Sequence, residues 1–128
     1  MPYRHALIFL VLTACATSLV PPVKVAPRPE TLVDCLARTG VRLYGASWCH
    51  WCHVQLNKFG SDAPKVSYTD CDPDATLTLA PACARAGVTL DDRLPMWIFP
   101  GSGRVSGVRD PNVIARIAGC PSTQEKKR

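Results

Sequence analysis

Seven cysteines in a chain of 128 residues constrain this protein more than any other feature of its sequence. Such a density indicates disulfide bonds, metal binding, lipidation or redox chemistry. The length allows one compact domain and not two. Because 47% of the residues are hydrophobic, that domain is expected to be globular rather than disordered.

The first fourteen residues have the pattern of a secretory signal peptide. Arg4 lies in a short N-terminal region, and residues 6–12 are all apolar, a stretch well short of the roughly 20 residues that span a bilayer. The next residues, Leu12-Thr13-Ala14-Cys15, resemble the lipobox of bacterial lipoproteins. We therefore predict that residues 1–14 are a lipoprotein signal peptide and that Cys15 is lipidated. An ordinary signal peptide, cleaved nearby with Cys15 discarded, is the alternative.

The segments on either side of the central domain differ from it in composition. Residues 15–29 contain four prolines and little to bury, which is typical of a semi-rigid tether. Residues 122–128 form a polar basic tail. We expect a domain over residues 30–121, lipid-anchored in the bacterial cell envelope and facing the periplasm. Ala16 after the lipidated position favours the outer over the inner membrane.

The charge of the chain does not point to nucleic acid. The formal net charge is +5, from 15 basic and 10 acidic residues. Apart from the last three residues, the basic side chains are spread along the sequence, and no basic stripe alternates with aromatic residues. We therefore predict no nucleic-acid partner.

Local patterns between the flanks alternate between helix and strand. Apolar spacing, turn residues and glycine stops predict helices over residues 30–38, 49–59, 74–86 and 111–118, and strands over residues 41–44, 65–71, 96–99 and 104–108. Pro81 is expected to begin the well-formed part of the third helix. A βαβ unit followed by a hairpin and a helix is the thioredoxin-like arrangement. The expected fold is therefore α/β, with a mixed four-stranded sheet flanked by helices on both faces.

The strongest local signal is the sequence Trp48-Cys49-His50-Trp51-Cys52, between a predicted strand and a predicted helix. Cys49 would begin the helix, where unpaired N–H groups and the helix dipole stabilise a thiolate. His50 beside it could lower the thiol pKa further. Cys52, one turn along, is placed to close a small disulfide ring. A redox-active pair is the interpretation we favour over a structural disulfide or half of a zinc site.

Residues 41–60 resemble the active-site segment of thioredoxin-like domains. They are most similar to the domain fused to bacterial and plant homologues of vitamin K epoxide reductase (VKOR), and the similarity covers residues 31–120. Cys71-Asp72-Pro73-Asp74 and Leu94-Pro95-Met96-Trp97 also match. The resemblance implies a thiol–disulfide oxidoreductase that acts on protein thiols and disulfides and needs no cofactor. It also implies a separate membrane redox partner, similar to VKOR, DsbB or DsbD.

The motif and the resemblance together suggest roles for individual residues, with the resemblance supplying those of Leu94 and Pro95. Cys49 attacks or is attacked, and Cys52 resolves the mixed disulfide. Pro95 is expected to be cis and, with Leu94, to shape the groove for an extended substrate. Trp48 and Trp51 are interpreted as an apolar rim for protein substrates, or as packing residues.

Two departures from the family pattern are visible. The usual Pro-His within the motif is His50-Trp51 here, so the redox potential does not carry over. The strand before the motif lacks an acidic residue, so the buried-Asp proton relay of ordinary thioredoxins is not evident.

The four remaining cysteines are interpreted as structural. The resemblance implies a Cys71–Cys83 disulfide, and a Cys35–Cys120 disulfide would tie the first helix to the end of the last. Six cysteines allow 15 pairings, so both bridges remain hypotheses.

Two other functions remain open at this stage. Cys49 and Cys52 with His50 and His53 could bind copper or zinc in a metallochaperone-like module. We predict no metal site, because the two histidines do not lie on the same side of a helix as both cysteines. The other alternative is a non-catalytic adaptor held together by disulfides.

Overall fold

The structure is a computed structural model that describes residues 29–122. The predicted signal peptide, the lipidated Cys15, most of the tether and most of the basic tail lie outside the described residues. Eight elements follow in the expected order: α1 (Leu32–Arg38), β1 (Arg42–Gly45), α2 (His50–Asn57), β2 (Tyr68–Asp70), α3 (Pro81–Arg85), β3 (Met96–Phe99), β4 (Gly103–Ser106) and α4 (Pro111–Ala118). A 3₁₀ helix over Gly60–Lys65 joins α2 to β2.

The four strands form one mixed sheet in the order β2-β1-β3-β4. The β1–β2 pair is parallel, and the β1–β3 and β3–β4 pairs are antiparallel. Leu43 at the centre of β1 lies opposite Tyr68 on one side and Trp97 on the other. This is the α/β, thioredoxin-like fold that the sequence predicts.

Buried side chains form two clusters, which the strand residues enter from opposite faces of the sheet. Because successive strand residues point to opposite faces, Leu43 and Trp97 enter one cluster, whereas Tyr44 and Met96 enter the other. The first cluster is completed by α1 and α4. The second includes Cys83 of α3 together with the cysteines of the Trp48–Cys52 motif. The two cysteines of the motif are therefore part of the core.

Local sequence explains where the outer helices begin and end. Thr31 and Asp34 form a capping box at the start of α1, each side chain accepting a hydrogen bond from the backbone N–H of the other. Asp110 caps α4, and Pro111 occupies its first turn, where a missing N–H costs nothing. Gly119 ends α4 at φ +69°, a conformation that favours glycine.

The helix predicted over residues 74–86 is wrong in its first half. Only Pro81–Arg85 is helical, and the preceding residues form an irregular loop. The buried Asp72 side chain accepts hydrogen bonds from the backbone N–H groups of Thr76 and Leu77. Because these bonds hold Leu77 at φ +60°, the loop cannot continue as a right-handed helix.

The strand predicted over residues 65–71 is shorter than expected, because Lys65 ends the 3₁₀ helix and β2 begins only at Tyr68. The last strand begins at Gly103, one residue earlier than predicted, and ends at Ser106 rather than at residue 108. Within residues 29–122, no helix has the length and apolar character needed to cross a membrane.

Two further disulfides join separate elements of the fold. Cys35 of α1 is bonded to Cys120, just beyond α4, and Cys71, just beyond β2, is bonded to Cys83 of α3. Their Cα–Cα distances are 5.9 and 5.6 Å. The first bond links α1 to the end of the neighbouring helix α4, and the second links the end of β2 to the neighbouring helix α3.

Removing either bridge should lower the melting temperature and leave thiol–disulfide exchange intact. Cys35 and Cys120 are 85 residues apart, so loop-closure entropy predicts a loss of about 4–5 kcal/mol for a double Ala variant. Cys71 and Cys83 are 12 residues apart, which predicts a loss of about 3 kcal/mol. Non-reducing peptide mapping checks the pairings, and a link from Cys35 or Cys120 to Cys49 would contradict the fold.

Candidate redox site

The Cys49–Cys52 pair lies where β1 passes into α2. Cys49 is the N-cap of α2, and its sulfur accepts a hydrogen bond from the backbone N–H of Cys52 at 3.2 Å. The two residues form a disulfide, with their Cα atoms 5.3 Å apart. Cys49 is 7% exposed, whereas Cys52 is fully buried. Both cysteines are thus buried, and only Cys49, at the positive end of the helix dipole, keeps some contact with solvent.

Gly45 at the end of β1 leaves room for the buried cysteine. A Cβ atom at this position would lie 2.8 Å from the Cys52 sulfur and 2.7 Å from the hydroxyl oxygen of Tyr68. Neither distance is tolerated by a real side chain, so glycine is required here by close approach and not by backbone conformation. The Tyr68 ring and Cys52 thus fill the space that a side chain at residue 45 would take.

Asp72 supports the residue that precedes the redox pair. Its carboxylate is fully buried and accepts a hydrogen bond of 2.8 Å from the Trp48 indole N–H. The backbone N–H groups of Thr76 and Leu77 donate to the same carboxylate at 3.0 Å. Burial by itself would raise the pKa of Asp72, but these hydrogen bonds outweigh it and hold the pKa below its usual range.

Asp70 fastens the turn before Cys49 to the end of β2. Its carboxylate accepts hydrogen bonds from the backbone N–H of Ser47 at 3.1 Å and of Asp72 at 2.9 Å. The Ser47 hydroxyl in turn donates to the carbonyl oxygen of Asp72 at 2.8 Å. The turn that presents Cys49 is therefore held by two residues of the β2 end.

Gln55, one turn beyond Cys52, ties α2 to the loop before α4. The side chain is fully buried, and its amide N–H donates to the Arg109 carbonyl at 3.0 Å. Its amide oxygen accepts the Arg109 backbone N–H at 2.6 Å. Both backbone groups of Arg109 are satisfied by one side chain, which fixes the β4–α4 loop beside the redox helix.

A surface groove of about 420 Å³ opens next to the redox pair and is lined by Trp51, Arg93, Leu94, Gly107 and Val108. Leu94 belongs to the same buried cluster as Cys49. The Leu94–Pro95 bond is cis, and the Pro95 carbonyl accepts a hydrogen bond from the Gly107 N–H at 2.7 Å. The predicted substrate residues Leu94 and Trp51 thus line one groove, with the buried Pro95 behind it.

Two large aromatic side chains stand out from the surface at the motif. Trp48 is 49% exposed and Trp51 is 60% exposed. Such exposure of tryptophan is uncommon in a folded core and typical of contact surfaces. Trp48 is nonetheless oriented by its bond to Asp72, so its position is defined while its ring stays accessible.

The two histidines of the motif take different directions. His50 is exposed and lies edge-to-face against Trp51, with the ring centroids 5.2 Å apart. His53 Nε2 is 2.9 Å from the carbonyl oxygen of Ser47, so that ring is directed to the backbone before the motif. Over residues 29–122, no three His, Cys, Asp or Glu side chains are grouped so that they could hold a metal ion.

Comparison with known proteins finds a similarity to a curated plant protein. The chain is 34% identical over 78 residues to a protein described as thiol-disulfide oxidoreductase LTO1 of Arabidopsis thaliana, covering 58% of this chain and 20% of that protein. The chain therefore spans about a fifth of the length of this curated relative. No family model matches the sequence. The similarity, the mixed sheet and the Cys49–Cys52 disulfide together fit a thioredoxin-like domain and support a redox role.

Four residues that support the site were not identified from the sequence: Gln55, Tyr68, Asp70 and Asp72. Asp72 carried a local signal, since an Asp before Pro commonly starts a turn held by its own side chain. Gln55 lies three residues after Cys52, on the same side of the helix, where a buried polar residue requires a partner. Tyr68 carried no signal, because its role depends on the glycine opposite.

Asp72→Asn should weaken the fold at neutral pH and change its acid response. The folded-state pKa is lowered, so the contribution of Asp72 is complete above its ordinary pKa of about 4. It is lost as the pH falls through the lowered value. Melting temperatures of wild type and variant should therefore differ at pH 7 and converge below pH ~4. Asp74→Asn is the control, because Asp74 lies in the same loop but is exposed, and its melting temperature at pH 7 should equal that of wild type. If the melting temperatures of Asp72→Asn and wild type differ by the same amount at every pH, the assignment is contradicted.

Proposed function

We propose that this protein is a thiol–disulfide oxidoreductase of the bacterial cell envelope that acts on protein cysteines through its Cys49-His50-Trp51-Cys52 pair. The observation that carries the proposal is the Cys49–Cys52 disulfide at the N-terminus of α2, in which Cys49 is 7% exposed and Cys52 is fully buried. This asymmetry is what an attacking and a resolving cysteine require. The similarity to a plant protein described as a thiol-disulfide oxidoreductase supports the same chemistry.

The reaction follows from the two positions. As a thiolate, Cys49 attacks one sulfur of a substrate disulfide, whose S–S bond breaks and releases the other sulfur as a thiolate. Cys52 then attacks the Cys49 sulfur of the mixed disulfide and releases the remaining substrate thiolate. Two electrons have passed to the substrate, and the Cys49–Cys52 disulfide has formed. The reverse sequence oxidises a substrate dithiol.

The groove beside Cys49 is the proposed substrate site. Trp51, Leu94 and Val108 give it apolar walls, and the backbone next to the cis proline Pro95 runs along it. An extended polypeptide around the substrate cysteine fits such a site better than a compact small molecule, since the groove is open. We propose Trp48 and Trp51 as the rim that contacts apolar residues flanking that cysteine.

We also propose that the protein is anchored to a membrane through its N-terminal segment. The Leu12-Thr13-Ala14-Cys15 sequence and the proline-rich stretch that follows support a lipid anchor that holds the domain at the periplasmic side of a membrane, with the outer membrane favoured. A separate membrane protein similar to VKOR, DsbB or DsbD would then exchange electrons with the Cys49–Cys52 pair.

Replacing Cys52 with Ala should trap substrates on Cys49. Without the resolving thiol, mixed disulfides through Cys49 persist, and they appear as high-mass bands on non-reducing gels that reductant removes. Cys49→Ala is the matched control and should trap nothing, because the remaining thiol is buried. In wild type, insulin reduction should proceed, and either substitution should abolish it. Equal trapping by the two variants, or none by Cys52→Ala, would contradict a redox-active pair.

The lipid anchor has its own test. Cys15→Ser should move the protein from the membrane fraction to the soluble fraction or leave its precursor unprocessed, because the acceptor thiol is gone. Intact mass and membrane fractionation measure both effects. Cys35→Ser is a control that removes a cysteine without touching the proposed anchor. Unchanged mass and fractionation in Cys15→Ser would rule the anchor out.

A further inference from the structure

The resolving step requires a group that stabilises the Cys52 thiolate, and the residues of the motif do not supply one. Cys52 must become a thiolate to attack the mixed disulfide, yet its side chain is fully buried. Burial disfavours the charged form of a thiol and raises its pKa. The β1 residues that precede the motif, Leu43, Tyr44 and Gly45, include no carboxylate that could take up or relay the proton. A different polar group is needed next to Cys52.

The space beneath Gly45 contains such a group. The position that a Gly45 Cβ atom would occupy lies 2.8 Å from the Cys52 sulfur and 2.7 Å from the Tyr68 hydroxyl oxygen. The hydroxyl and the sulfur therefore border the same small gap in the sheet face. Tyr68 pairs with Leu43 in the parallel β1–β2 ladder, and Gly45 is two residues after Leu43, so these positions share one face of the sheet. Tyr68 and Leu56 of α2 both pack against the cluster that contains Leu43. No side chain at residue 45 separates the Tyr68 hydroxyl from the Cys52 sulfur.

The Tyr68 hydroxyl is held in its protonated form. Burial, and to a smaller extent the negative charge of Asp70, raise the pKa of Tyr68 to about 12. Asp70 itself is engaged with the backbone of Ser47 and Asp72. From α2, His53 is directed to the Ser47 carbonyl. At neutral pH the hydroxyl is thus a hydrogen-bond donor and not a base.

We propose that Tyr68 is a further residue of the redox site, whose hydroxyl donates a hydrogen bond to the Cys52 sulfur once the Cys49–Cys52 disulfide is open. This rests on the proposed function. The bond stabilises the Cys52 thiolate, while Tyr68 keeps its own proton and the proton from Cys52 passes to solvent. The electron pair on Cys52 then forms the new S–S bond with Cys49, and the substrate sulfur leaves with the electron pair of the broken bond.

Tyr68→Phe isolates this role, since it keeps the ring and removes only the hydroxyl. Reduced protein mixed with one equivalent of the disulfide of thionitrobenzoate releases one thiol when Cys49 attacks and a second when Cys52 resolves. In Tyr68→Phe at pH 7, we expect an unchanged first phase and a second phase slower by about tenfold, the loss typical of one hydrogen bond to a charged group. In the Cys49→Ala background, NMR of the labelled Cys52 Cβ should show a higher pKa without the hydroxyl.

Thr69→Val is the matched control, because it also removes one hydroxyl, and Thr69 follows Tyr68 in β2, so its side chain points to the opposite face of the sheet. It should leave both phases and the Cys52 pKa unchanged. If Tyr68→Phe does not fold, 3-fluorotyrosine placed at residue 68 keeps the ring and makes the hydroxyl a stronger donor. This variant should lower the Cys52 pKa and speed the second phase at pH below that pKa.

The outcomes separate this inference from the proposed function. A wild-type protein without two distinct phases would overturn the redox assignment itself. A wild-type protein with two phases, and a folded Tyr68→Phe with the same second phase and the same Cys52 pKa, would overturn only the role of Tyr68. A slower second phase with an unchanged Cys52 pKa would also count against it, because a purely structural effect predicts that combination.

Discussion

The parallel pairing of β1 with β2 is the constraint on which the redox site depends. In a parallel pair the carboxyl ends of both strands lie at the same edge of the sheet, and here the register sets Gly45 beside Asp70. The chain leaving β1 enters the Cys49–Cys52 turn, and the chain leaving β2 enters the loop of Asp72. The hydrogen bonds from Ser47 and Trp48 to Asp70 and Asp72 are possible only because this pairing brings the two exits together.

The second support of the site comes from the other side of α2. Gln55 satisfies both backbone groups of Arg109, and the loop that it holds contributes Gly107 and Val108 to the proposed substrate groove. The helix that carries the cysteines therefore also positions one wall of the groove. A buried amide with both of its ends paired is a costly group to lose, since removing it leaves two backbone groups unsatisfied.

Local patterns predicted most elements of this fold, and their failures have a common physical origin. Capping residues and glycine stops located α1 and α4, because those signals act over a few residues. The helix predicted over residues 74–80 failed because a buried carboxylate, Asp72, competes for backbone N–H groups that a helix would use. Burial of that side chain is a tertiary property, and helical spacing carries no information about it.

The sequence by itself determined the chemistry: a cysteine pair at the start of a helix, inside an α/β pattern with further cysteines at the ends of elements. These features depend on spacing along the chain, which local propensities translate directly into position. The tertiary structure alone decided which side chains surround the sulfur atoms. Trp48 and Asp72 are 24 residues apart, and Gln55 and Arg109 are 54 apart. Strand register and close packing at a single glycine select such partners, and neither is encoded by any short stretch of the sequence.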